Sequence, residues 1–403
     1  MSQTTPTWRR IPAGIWALGF VSLLADVASE MVHSLLPVFL VTVIGTSYWV
    51  VGLIEGIAEA TALIVKVFSG ALSDYVGKRK PLAVLGYGLG AVSKPLFALA
   101  ASVETVFGAR MIDRIGKGIR GAPRDAMVAD MAPPDLRGAS FGLRQSLDTV
   151  GGFVGPLLAV GLMLLWANDV RAVFWVAAIP GFLAVGLLFF GVREPATHSA
   201  AHRTNPISRQ NLKRLSPAYW WVVGIGAMFT LARFSEAFLV LRVQEGGLPL
   251  AYTPLVLVAM NVVYSAFAYP FGKLSDSTSH LRMLIGGLIV LIAADMMLAW
   301  SNHWTWGWAG ISLWGLHMAM TQGLLATMVA DAAPKELRGT AFGFFNLASG
   351  VAMLLASLIA GLVWDQFGAS FTFLAGAVFA ALAAILIVVY SYLQPSTTRH
   401  NPR

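Results

Sequence analysis

Runs of roughly 20 apolar residues, enough to cross about 30 Å of hydrocarbon as α-helix, alternate along this chain with short polar connections. Twelve runs can be read, near 12–41, 49–72, 81–101, 104–129, 138–166, 170–192, 217–242, 251–274, 281–301, 304–330, 339–363 and 369–393. The pattern predicts an all-α membrane protein. Six runs precede and six follow one long polar stretch, REPATHSAAHRTNPISRQNLKRLS (Arg193–Ser216), whose Ser, Thr, Pro and basic content reads as a linker. The predicted organisation is a first bundle over 1–192, a linker over 193–216 and a second bundle over 217–403.

The two halves share one plan. ADMAPPDLRGASFG (Ala129–Gly142) returns as ADAAPKELRGTAFG (Ala330–Gly343), 201 residues later. GALSDYVGKRK (Gly70–Lys80) is answered by GKLSDSTSHLR (Gly272–Arg282), and Ser29-Glu30 by Ser235-Glu236. Each echo falls at the same place in its own half, which predicts two pseudo-symmetric six-helix bundles. The duplicated fourteen residues mark the turn between the fourth and fifth helix of each.

Composition agrees with lipid as the solvent. The chain is 57% hydrophobic and 12% charged, with mean hydropathy +0.70, whereas soluble domains carry about a quarter charged residues. A net charge of +8 would suit nucleic acid if it were gathered in a soluble arm, but it is not. Arg9, Arg10, Lys78–Lys80, Arg137, the linker, Lys273, Arg282, Lys335, Arg338, Arg399 and Arg403 all fall on one side. The opposite loops hold little beyond Arg171, with Arg242 near an edge. The positive-inside rule then places both termini and the linker in the cytoplasm of a plasma membrane, of the bacterial inner-membrane kind. The first apolar run is too long for a cleavable signal peptide. The absence of cysteine excludes disulfides and thiolate metal sites.

A charge at the bilayer centre costs roughly 3 kcal/mol, so intramembrane charges are functional candidates. Asp26, Glu30 and His33 share a face of the first helix, and Glu55 and Glu59 a face of the second, with Lys66 further along. The fourth helix carries Asp113, Arg114, Lys117, Arg120 and Arg124; Arg144 and Asp148 sit four apart on the fifth, and Lys94 lies in the third. The second half offers Arg233, Glu236 and Asp295, with His317, Gln322, Asn261 and Asn346 as neutral polar groups. A dense network of both signs is what protonation-coupled switching needs, because desolvation and a neighbouring cation pull a carboxyl's proton affinity in opposite directions. A fixed ion-pair lattice is the structural alternative. Asp26, Glu30 and His33 with Glu55 or Glu59 could also form a hard metal site. Phe234, Tyr264, Trp314, Phe344 and Phe345 give the second half an aromatic lining suited to an amphipathic organic solute. The Trp-rich NHWTWGW (Asn302–Trp308) reads as an interfacial anchor.

Two six-helix halves, a cytoplasmic linker and G-x-L-S-D-x-x-G-K-R-K after the second helix resemble the major facilitator superfamily of secondary transporters. The loop motif falls on Gly70, Leu72, Asp74, Gly77, Lys78 and Arg79; the second half keeps Gly272, Leu274 and Asp276 but not the second glycine or the basic pair. RIGKGIRGA (Arg114–Ala122) is similar to the fourth-helix motif, with Lys117 and Arg120 in place of Gln and Gly. Gly142, Gly151, Gly155 and Pro156 match the fifth-helix motif associated with exporting antiporters, although its closing Gly-Gly reads Ala159-Val160.

The resemblance implies alternating access with a mid-membrane site between the halves. It also implies a first-helix carboxylate, Glu30 before Asp26, coupled to Arg114, within a network that includes Glu55, Glu59 and Asp113. Asp74, Arg79 paired with Asp130, Arg137, Asp276, Asp331 and Arg338 are expected to form cytoplasmic latches. Arg233, Glu236, Tyr264, Trp314 and Phe345 are expected to line the solute cavity.

No G-x-S-x-G elbow, H-E-x-x-H or phosphate loop is read, since GASFG (Gly138–Gly142) opens a predicted membrane helix and follows no strand, so a membrane enzyme is not expected. The expected function is proton-coupled export of a small solute. Import, divalent-metal or organic-anion transport and a transport-inactive sensor or scaffold are the alternatives. The expected partners are the solute, protons and the bilayer. No cofactor, resident metal or nucleic acid is expected, and the chain is expected to be a monomer.

Overall fold

The structure, a computed structural model, describes residues 10–76, 78–194, 214–334 and 337–393. Gly77 of the loop motif lies outside them, as do the side chains of Asp74 and Asp276. Every regular element among the described residues is helical. The first half contains α1 (Ala13–His33), α2 (Tyr48–Val76), α3 (Lys80–Leu99), α4 (Val103–Met131), α5 (Arg137–Leu165) and α6 (Val170–Gly191). The second contains α7 (Pro217–Leu231), α8 (Ala237–Glu245), α9 (Leu255–Ser277), α10 (His280–Trp300), α11 (Trp304–Ala332), α12 (Arg338–Phe367) and α13 (Ala369–Leu393).

Eight helical stretches among these residues are long and apolar enough to cross a membrane. The charges on α4 take it outside that set; Arg110, Asp113, Arg114, Lys117 and Arg120 all fall in its first two-thirds. On α6 the large apolar side chains Trp175, Ile179, Phe182, Leu183, Phe189 and Phe190 are exposed. Such a surface needs lipid against it.

The chain divides into two compact units. One comprises Met1–Thr46, Ile57–Asn205 and Pro249–Val258; the other comprises Ser47–Gly56, Pro206–Leu248 and Ala259–Arg403. In the first unit α1 packs along α5 and α6, and α3 along α4 and α6. In the second, α10 packs between α11 and α13, and α7 along α12. The second unit also takes in the start of α2. There a Cβ on Gly52 would collide with the Ser357 carbonyl oxygen of α12, and one on Gly56 would stand 3.0 Å from Leu354 Cα. These two glycines, four apart, let the backbones touch. The Asp365 carboxylate accepts the Tyr48 and Trp49 N–H groups at 3.0 and 2.9 Å, capping α2.

Two expected helices are interrupted. After α1 the chain turns at Ser34 and Leu35, then resumes as a short helix, Leu36–Val38, and a wider π-helical turn, Phe39–Ile44. The expected helix over 217–242 is two, α7 and α8, separated by Arg233, Phe234 and Ser235 in non-helical backbone. Inside a bilayer such a gap survives only if its polar groups find partners. Arg233 N–H bonds the Thr230 carbonyl at 3.0 Å, Ser235 N–H bonds Ser357 Oγ at 3.2 Å, and Ala237 N–H bonds Ser235 Oγ at 3.2 Å.

The two cations expected on the non-cytoplasmic side share one task. Arg171 donates to the carbonyls of Ala98 and Ala100 (2.9 and 2.6 Å) at the end of α3. Arg242 donates to Leu298, Ala299 and Ser301 (2.8, 3.2 and 2.7 Å) at the end of α10. Each satisfies the orphan carbonyls of a helix C-terminus, where the dipole also favours a cation.

Candidate intramembrane charge site

The site grows from α4. Its start is fixed by a capping box in which Ser102 and Thr105 exchange side chain-to-backbone hydrogen bonds. Two glycines then draw it against its neighbours. A Cβ on Gly116 would lie 2.6 Å from the Gly86 carbonyl oxygen of α3, and one on Gly118 would lie 2.7 Å from Val65 Cβ of α2. With the backbones this close, side chains one or two turns earlier on α4 reach α3 and α2 directly.

They meet there as an alternating lattice. Lys94 Nζ of α3 lies 2.6 Å from Asp113 Oδ1, and both side chains are almost fully buried. Arg114 Nε lies 3.1 Å from Asp113 Oδ2, and Arg114 Nη1 donates to Glu59 Oε1 of α2 at 2.9 Å. Arg110 completes the cluster at 3.7 Å from Glu59 and 3.9 Å from Asp113. Each charge thus has an opposite neighbour, without which the burial would cost several kcal/mol per ion.

A second cluster faces it from α1. Glu30 Oε2 is 3.5 Å from His33 Nδ1, and Asp26 Oδ1 is 4.0 Å from Arg120 Nη2, whose guanidinium lies over the Tyr87 ring at 4.6 Å. The fifth-helix glycines press on this same stretch. A Cβ at Gly151 would sit 2.5 Å from the Leu23 carbonyl oxygen and 3.0 Å from Asp26 Cβ; one at Gly155 would sit 2.8 Å from the Val27 carbonyl oxygen and 3.0 Å from Glu30 Cβ. Pro156 is buried beside them, while Gly142 has open space. Asp148 of α5 pairs with Arg124 at 3.7 Å and Arg144 at 3.5 Å.

The expected partner of Arg114 was Glu30 or Asp26; the structure sets Arg114 against Glu59 and Asp113. Glu55 is buried on α2. Among the described residues no three His, Asp or Glu side chains gather to hold an ion. Reading the sequence alone also passed over Arg110, whose signal was its i, i+3, i+4 spacing to Asp113 and Arg114.

Between the start of α3 and the end of α4 the expected Arg79–Asp130 pair forms at 2.6 Å. The duplicated turn repeats its geometry as well as its sequence. Arg137 donates to the Ala129 carbonyl at 3.4 Å, and Arg338 to the Ala330 carbonyl at 3.1 Å, each eight residues back. Arg10 pairs with Asp135 at 2.6 Å, Glu194 accepts the Arg79 and Lys80 N–H groups at 2.7 and 2.9 Å, and Lys78 and Asp331 are exposed. Gly70 approaches Ala122 of α4.

In the second unit Phe234 is the hub of an aromatic group, with ring centroids 5.5 Å from Trp314, 5.4 Å from Phe373 and 5.7 Å from Phe238. Trp314 is fully buried, so here it supports Phe234 from within the unit. Arg233, Glu236 and Tyr264 are half-buried, and the Phe345 ring fills the space beside Gly226.

The family model described as Major Facilitator Superfamily matches residues 18–356 and 244–403. An uncharacterized MFS-type transporter of Methanocaldococcus jannaschii is 32% identical over 387 residues, covering 94% of this chain and 95% of its own. Multidrug resistance protein MdtH of Yersinia pestis is 24% identical over 359 residues, 87% of each chain. Among solved structures, a peptide transporter, POT, in complex with sulfate superposes with TM-score 0.75 at 15% identity, over 95% of this chain and 94% of the other.

Proposed function

The chain belongs to the Major Facilitator Superfamily, and from that premise we propose that this transporter exports a small amphipathic solute by alternating access, driven by inward movement of protons. The carrying observation is the lattice Lys94–Asp113–Arg114–Glu59, which places two carboxylates, a guanidinium and an ammonium of three helices within ion-pair reach inside lipid. Beside it, Asp26 and Glu30 occupy the helix that the Gly151 and Gly155 face of α5 touches. A carboxyl there exchanges a proton whenever a neighbouring cation moves, and the α1–α5 contact gives that motion a mechanical output. Glu30 and Asp26 are assigned to proton binding, with Arg114 as the cation whose partners change.

Export is favoured by the fifth-helix glycine motif and by the name of the MdtH relative, which is a multidrug resistance protein. The aromatic and half-buried polar groups Arg233, Glu236, Tyr264 and Phe345 are assigned to the solute. The reading includes twelve spans in halves 1–192 and 217–403, both termini in the cytoplasm, and a monomer in the plasma membrane. Arg79–Asp130, Arg137 and Arg338 serve as cytoplasmic latches.

The test uses proteoliposomes carrying the purified chain, an imposed pH gradient and an amphipathic fluorescent dye as probe. Dye flux that follows the size and sign of the gradient supports the reading. Flux indifferent to the gradient removes proton coupling, and a chain that turns over a bound compound without moving dye removes transport.

A further inference from the structure

Every buried charge of the first unit described above has an opposite neighbour; Asp295 in the second has none. On α10 it is fully buried (0%), and neither Oδ1 nor Oδ2 has a hydrogen-bond partner among the described residues. Its surroundings are apolar. Oδ2 lies 2.8 Å from where a Cβ on Gly376 of α13 would stand, and the Phe234 ring edge lies 2.9 Å from the same point. The carboxyl therefore sits against a glycine and against the non-helical link between α7 and α8, of which Phe234 is part.

The charged groups on the packed elements do not reach it. α13 carries no Asp, Glu, Lys, Arg or His. α11 brings His317, whose Nδ1 is taken by the Gly287 carbonyl at 2.8 Å, two turns before Asp295 on α10, and Asp331 at its exposed end. α8 brings Arg242, directed to the Leu298, Ala299 and Ser301 carbonyls one turn beyond. Arg233 and Glu236 lie within the α7–α8 link and are half-buried. No ion pair joins any of these to Asp295 among the described residues.

An isolated carboxylate in such a place is so poorly solvated that it neutralises itself instead. We infer that Asp295 is a proton-binding site of the second unit, occupied in this conformation. One O–H bond forms on a carboxyl oxygen with a proton delivered by a hydronium ion, which leaves as water, and the charge of the carboxyl goes from −1 to zero. A neutral acid with no acceptor for its O–H holds that proton only while water is kept out. The link at 232–236, where Arg233, Phe234 and Ser235 leave helical backbone and Ser235 N–H is held by Ser357 Oγ, is the element that admits water when it shifts. The bearing of this site on transport rests on the reading above; the proton site itself does not.

Infrared spectroscopy of the full-length chain in lipid, without any solute, tests it directly. At neutral pH the wild type is expected to show a protonated-carboxyl C=O band that is missing from Asp295→Asn. Identical spectra for wild type and Asp295→Asn overturn the proposal, whether or not the chain transports. Should Asp295→Asn fail to fold, the same comparison is made with Asp295→Leu, and a band that persists unchanged in that chain overturns the proposal.

Discussion

Arg114 Nη1 donates to Glu59 Oε1 at 2.9 Å, tying the fourth helix to the second across the interior of the first unit. The same guanidinium touches Asp113, which holds Lys94, so one rotation of α4 would change the partners of three charges together. That shared dependence is what separates a switch from a set of independent struts.

The energetic order within the lattice follows from who is left alone. Lys94→Met leaves Asp113 still facing Arg114 and Arg110, whereas Asp113→Asn deprives Lys94 and weakens two arginines. Breaking a buried pair costs about 3–5 kcal/mol. Asp113→Asn is therefore expected to lower the unfolding temperature more than Lys94→Met, with thermal unfolding in detergent as the readout. The reverse order contradicts the lattice.

The glycines of α5 make a second, graded prediction. Gly142→Ala meets open space and should stabilise slightly, by roughly 0.5–1 kcal/mol, because alanine is the better helix former. Gly151→Ala meets the Leu23 carbonyl and Asp26 Cβ and should destabilise. Melting temperatures that move the same way for both would contradict the close α1–α5 contact.

The duplicated turns should behave as a pair. Arg137→Ala and Arg338→Ala each remove one side chain-to-carbonyl bond at an exposed helix end, worth about 1 kcal/mol. Arg79→Ala removes the Arg79–Asp130 pair, which is partly exposed and so worth up to about 1 kcal/mol, decreasing with salt. Unfolding at low and high salt separates them: the Arg79 effect should shrink more than the other two.

Much of this was legible because repetition and charge leave local marks. The fourteen-residue echo forecast two turns, and their arginines do land on equivalent carbonyls. The Arg79–Asp130 pair could be anticipated because both residues sit at adjoining helix ends. Partners across helices were less legible. Periodicity places Arg114 on a face of α4 but does not say that Gly118 brings α2, and with it Glu59, closest to that face. The break before α8 was hidden for a similar reason. ARFSEAF contains no proline or glycine, and the gap is sustained by Ser357, a residue 122 positions away in sequence. The isolation of Asp295 had no signature either, since solitude is a property of the packed neighbours.

The central claim is that carboxyls of the first unit carry the protons that drive the solute. It is tested most directly by dye flux under an imposed pH gradient in proteoliposomes bearing wild type, Glu30→Gln or Glu59→Gln, with folding checked by thermal unfolding. The account predicts gradient-driven flux in the wild type and its loss in Glu30→Gln, with Glu59→Gln impaired because Arg114 loses its charged partner on α2. Undiminished gradient-driven flux in both folded variants would contradict it.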